Sequence, residues 1–130
     1  MVDIACDTID KLQCIEMRRK GLPRGFKWKL YEMAREVSDK PLVLAAAEIL
    51  NQTPRHIGIV TGAAVPEHMP LGENDGPFGA SVLAKALIEI GHRVSIVTDP
   101  ACAAPIEFLL KRYALEIPVI RLELHDRAQQ

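Results

Sequence analysis

Two carboxylates, Glu73 and Asp75, flank Asn74 in the run Gly72-Glu-Asn-Asp-Gly-Pro77. A carboxylate pair of this kind can serve as general acid and base, or as metal ligands. The alternative is structural: Asp75 caps a helix and Glu73 favours its positive end. Side chains two apart on an extended segment point to opposite faces. Convergence of the two acids therefore requires an irregular backbone or a partner chain. His68, beside Glu67, could carry protons, or be an exposed loop histidine. Asp99 ends an apolar run where dinucleotide folds place a ribose-binding acid, and Asp99-Pro100 is equally a turn or helix entry. Cys102 lies near an expected helix start, which would lower its pKa, but no base accompanies it in sequence. His56 and His92 flank strands and read as structural.

These residues need elements to hold them. Residues 56–61 read as a strand, 77–90 as a helix, 93–98 as a strand, 105–114 as a helix and 118–124 as a strand. Such alternation argues for parallel pairing with right-handed crossovers. The expected fold is α/β, with a helical N-terminal segment (1–52) followed by a β-α-β-α-β parallel, Rossmann-like half sheet (55–125), in one domain. The long loop after the first strand sits where open α/β sheets bind ligands. Pro77 suits a first helical position. The N–H groups of Phe78, Gly79 and Ala80 would then point into the loop as an anion seat, and Gly79 would permit close approach. The loop matches neither G-x-G-x-x-G nor G-x-x-x-x-G-K-[ST], so the strong nucleotide signatures are missing. In the helix after it, Phe78, Val82, Leu83, Ala86, Leu87 and Ile90 make an apolar face; Ser81, Lys85 and Glu89 make the other.

Ahead of the loop, residues 3–20 read as an amphipathic helix through Ala5, Ile9, Leu12 and Ile15. Gly21-Leu22-Pro23 stops it. A second helical pattern covers 27–37 through Leu30, Met33, Ala34 and Val37. A third starts at Pro41 and runs to Leu50; it is apolar on nearly every side, which predicts burial.

Length, at 130 residues, suits one domain. A net charge of −1 leaves no electrostatic footprint for nucleic acid. The basic cluster Arg18-Arg19-Lys20 complements a helix C-terminus. Three cysteines, Cys6, Cys14 and Cys102, form neither a disulfide framework nor a zinc motif, which suits a reducing compartment. No apolar run can span a bilayer, and the acidic N-terminus lacks targeting character. The expected location is cytoplasmic. The tail after residue 124 carries no helix to cover the last strand, which anticipates either a pairing partner (a homo-oligomer) or a missing C-terminal half.

The runs Ile59-Val-Thr-Gly62, Gly72-Glu-Asn-Asp-Gly-Pro-Phe-Gly-Ala80, Leu83-Ala-Lys-Ala-Leu87 and Ile90-Gly-His-Arg-Val-Ser-Ile-Val-Thr-Asp99, with Leu44 to Ala47 before them, resemble the D-glutamate cyclase family. The resemblance covers about residues 40–100. Asn74 stands where the family pattern has Thr. Family members are usually about twice this length, so the resemblance implies that the chain corresponds to the front half. The resemblance implies a lyase that converts D-glutamate to 5-oxo-D-proline with loss of water. It implies Glu73 and Asp75 as acid–base residues or as ligands of a divalent cation, Mg or Mn. Thr61 and Asn74 would donate hydrogen bonds. Gly62, Gly76, Phe78, Gly79 and Ala80 would line the substrate seat, with a small amino acid as partner. The alternative is a non-catalytic α/β module that binds a small anion or nucleotide at residues 61–80.

Overall fold

The computed structural model describes residues 1–16 and 25–123. The chain divides into two compact units, Met1–Gln52 and Thr53–Gln130. The basic cluster at 18–20, the stop at 21–23 and the tail beyond 123 lie outside the described residues.

The first unit holds α1 (Val2–Gln13), α2 (Phe26–Glu36) and α3 (Leu42–Leu50). Helix α1 ends before the expected residue 20, with Cys14 as its C-cap. Glu16 then accepts the N–H groups of Gly25 (2.9 Å) and Lys27 (3.1 Å) at the start of α2. Those bonds need a carboxylate outside the helix, so the periodicity overran the true end. The face turned inward also differs from expectation. Ile9, Leu12 and Ile15 are exposed, and the buried residue of α1 is Asp10. Asp10 accepts the N–H groups of Leu42 (2.6 Å) and Val43 (3.0 Å). Pro41, the N-cap of α3, has no side chain able to accept these donors. Asp10 does so from the neighbouring helix. Helix α3 has no buried residue, contrary to its apolar sequence. Three short helices enclose too little volume to cover it.

The second unit is a three-stranded parallel sheet in the order β1-β2-β3. Its strands are β1 (His56–Val60), β2 (Arg93–Thr98) and β3 (Val119–Arg121). Helices α4 (Asp75–Glu89) and α5 (Ala103–Arg112) form the crossovers, with a 3-10 turn, Pro100–Cys102, before α5. The two helices pack on each other, so both lie on one face of the sheet, as right-handed crossovers between successive neighbours require. Ile96, Ala84, Ile106 and Leu110 are at the core. Strand β3 is shorter than its apolar run, because β2, its partner, gives way at Asp99 and Pro100.

Helix α4 presents small residues to the sheet. Pro77, Ala80, Ser81, Ala84 and Leu87 are buried, whereas Phe78, Val82, Leu83 and Ile90 of the expected apolar face are exposed. Close helix–sheet approach favours small side chains. Ser81 tolerates full burial because its hydroxyl donates to the Pro77 carbonyl at 2.8 Å. Gly91, at φ 95°, ends the helix as its sequence predicts. Among the described residues, no helix is long and apolar enough to cross a membrane.

Candidate functional site

The carboxyl ends of β1 and β2 lie side by side, since Val60 pairs with Val97. Thr61 extends the ladder by donating its N–H to the Val97 carbonyl at 3.0 Å. The chain then leaves the sheet through Gly62, at φ 152°, and Ala63, at φ 74°. A left-handed alanine costs roughly 1–2 kcal/mol. The compensating contact is Asp99, which ends β2. Its Oδ2 accepts the N–H of Ala63 at 3.0 Å and lies 3.5 Å from the N–H of Ala64. A Cβ at Gly62 would stand 2.6 Å from the same oxygen. No side chain fits there.

Two proline turns fold the excursion beyond. The N–H of His68 donates to the Val65 carbonyl (3.0 Å) across Pro66, and the N–H of Gly72 donates to the Met69 carbonyl (3.0 Å) across Pro70. Proline at the second turn position sets the required φ in each. Val65 and Met69 also exchange backbone bonds of 2.9 and 2.7 Å. The second turn lays Gly72 over the β1 exit. Gly72 has φ 82°, and a Cβ there would meet Cys102 Sγ at 2.6 Å and the Gly62 carbonyl at 3.1 Å. From Gly72 the chain enters α4, where a Cβ at Gly76 would lie 2.8 Å from Thr61 Oγ1. Thr61, Gly62, Gly72, Gly76, Asp99 and Cys102 thus form one cluster at the sheet's carboxyl edge.

Helix α4 begins two residues earlier than expected, at Asp75, with Asn74 as N-cap. Pro77 is therefore the third helical residue. The N–H groups of Phe78, Gly79 and Ala80 fall inside the helical ladder and are not free to seat an anion. The unladdered donors are those of Asn74, Asp75 and Gly76, and Gly76 donates to Asp75 Oδ1 at 3.1 Å. A Cβ at Gly79 would meet open space; the close approaches are at 62, 72 and 76 instead. Phe78 is exposed and Ala80 is buried.

Glu73, Asn74 and Asp75 are all exposed. Asn74 has αR geometry, φ −77° and ψ −25°, so the two acids do not alternate as on an extended strand. His68 is exposed on the first turn. Among the described residues, no three His, Cys, Asp or Glu side chains are grouped to hold a metal ion. Open grooves of about 470 Å³ beside α5 and β3, and of about 450 Å³ within the helical unit, include neither acid.

Cys102 is buried. Burial first, and the neighbouring Asp99 second, push its thiol pKa up. The lowering expected at a helix start is overridden by that burial. The Thr98 hydroxyl, buried at the end of β2, has no partner among the described residues. Nothing in the residue pattern signals that Gly72 lies on Cys102, because the contact joins two loops thirty residues apart in a region without periodicity.

The second unit is a parallel α/β fold with a glycine-rich, acidic loop at the carboxyl ends of its strands, the position at which open sheets of this class bind ligands. Within that class the chain belongs to the D-glutamate cyclase-like, C-terminal family, whose model matches residues 28–130. The match extends on both sides of the residues that carry the sequence resemblance. Comparison with curated proteins and with solved structures found no match.

Proposed function

We propose that this chain carries a D-glutamate cyclase-like lyase site at residues 61–76, acting on D-glutamate to give 5-oxo-D-proline and water. The observation that carries this reading is the family match across residues 28–130. Its structural support is the cluster at the β1 and β2 ends.

The reaction forms a bond between the α-nitrogen and Cδ, and breaks one Cδ–O bond. The ammonium gives up two protons, one before the attack and one after it, and the departing carboxylate oxygen takes up two to leave as water. Glu73 and Asp75 are assigned these transfers, one as base and one as acid. The N–H groups of Asn74 and Asp75, at the positive end of α4, suit a substrate carboxylate. Thr61 and Asn74 supply further polar contacts, with Gly62 and Gly76 allowing the backbone to approach. No step is assigned to a metal.

The test is direct. Purified protein is incubated with D-glutamate, with Mg²⁺ or with EDTA, and 5-oxoproline is measured. Removing one acid–base group lowers turnover by about 100-fold or more, so Glu73→Gln and Asp75→Asn should each do so while the fold persists. Wild-type turnover in both variants overturns the assignment of the acids.

The exposure of Glu73 and Asp75 favours a second reading, a non-catalytic module that seats a small anion or nucleotide on the same loop. Thermal stabilisation by phosphate or nucleotide, with none by D-glutamate, would select it.

A further inference from the structure

We propose that Asp99 is a positioning residue of this site, holding the β1 exit in the shape that the substrate meets. For the reaction, this rests on the cyclase-like reading; for the hold itself, it rests on geometry. Asp99 N-caps the 3-10 turn Pro100–Cys102 but makes no side-chain capping bond to it. Its carboxylate crosses to the neighbouring strand exit instead. Oδ2 receives the Ala63 N–H (3.0 Å), approaches the Ala64 N–H (3.5 Å) and lies 4.0 Å from the Cys102 thiol. The bond to Ala63 falls on a residue held at φ 74°, a conformation that alanine leaves unless something retains it. Gly62 leaves the room that the carboxylate occupies, since a Cβ there would stand 2.6 Å from Oδ2. The held exit adjoins the start of α4: Thr61, two residues before Ala63, lies where a Cβ at Gly76 would stand 2.8 Å from its Oγ1.

The experiment compares Asp99→Ala, Asp99→Asn and Asp99→Glu with wild type by amide hydrogen exchange and by steady-state kinetics. In Asp99→Ala the amides of Ala63 and Ala64 should exchange at least about 10-fold faster, while Ile96 in β2 keeps its protection. kcat should fall by about 100-fold, as small misplacements near reacting groups do, with a smaller change in KM. Asp99→Asn keeps an oxygen that accepts the same bonds, and should retain protection and most of kcat. Asp99→Glu keeps the charge but displaces the oxygen, and should behave like Asp99→Ala; it serves as the test if the alanine variant does not fold. Unchanged exchange at 63 and 64 overturns the proposal. So does accelerated exchange with unchanged kcat. A wild-type protein inert toward D-glutamate removes the reaction, and with it the kinetic role; the exchange result then decides separately whether Asp99 holds the loop.

Discussion

Gly72 rests on Cys102 so closely that a Cβ at position 72 would stand 2.6 Å from the sulfur. The contact joins the returning loop to the turn after β2, and it depends on both residues being as small as they are.

Gly72→Ala should therefore be costly. The left-handed φ contributes roughly 1–2 kcal/mol, and the overlap with Sγ about 1–3 kcal/mol. Adding Cys102→Ala should recover the steric part and leave the strain. A double-mutant cycle from urea unfolding measures this; simple additivity of the two changes would refute the contact.

Thiol reactivity should separate the cysteines. Cys6 and Cys14 are partly exposed and Cys102 is buried with a raised pKa. Ellman's reagent at pH 8 should titrate Cys6 and Cys14 in the folded protein, and Cys102 only after denaturation. Rapid labelling of Cys102 in the native state, read by mass spectrometry, would contradict the packing described.

Much of this architecture could be read from residues alone, and the failures have a common origin. Strand β2 has the expected bounds, because Gly91 and the Asp99-Pro100 pair punctuate it on both sides. The residue pattern puts the starts of α4 and α5 at Pro77 and Pro105, yet each proline is the third residue of its helix. Proline is tolerated throughout a first turn, whose N–H groups have no helical partner, so it marks that turn without fixing its first residue. Apolar size alone predicts the wrong inward faces for α1 and α4. In α1 the buried position answers the unpaired donors of α3, and in α4 it answers the distance to the sheet. Neither demand is written in the helix's own periodicity. The acids at 73 and 75 were conspicuous in sequence, whereas the contacts of Asp99 and Gly72 need the tertiary fold to appear.

Asp10 should matter to the helical unit more than any of its apolar neighbours. A hydrogen bond to a charged group contributes about 1.5–3 kcal/mol, and Asp10 makes two with the start of α3. Asp10→Ala should lower stability by about 2–4 kcal/mol and speed amide exchange at Leu42 and Val43, with Asp10→Asn intermediate. Equal exchange at those amides in Asp10→Ala would show that they are satisfied otherwise.

The start of α2 should respond to acid. The N–H of Gly25 first, and that of Lys27 next, hold the Glu16 carboxyl below its ordinary value of 4.5. The folded pKa is depressed, so this contribution is complete above pH 4.5 and is lost as pH falls through the folded value. An NMR titration should place the Glu16 midpoint below that of free glutamate. Glu16→Gln should flatten the acid limb of the stability curve. A midpoint at or above 4.5 would show that the bonds to α2 do not persist in solution.

The paired proline bends at 65–68 and 69–72 would have a thermodynamic corollary for a ligand of the proposed site beside β1. A segment already creased by its own backbone surrenders little further freedom when a guest arrives, so affinity is not diminished by an ordering penalty. Relaxing either bend would loosen the welcome while leaving the sheet beneath it intact.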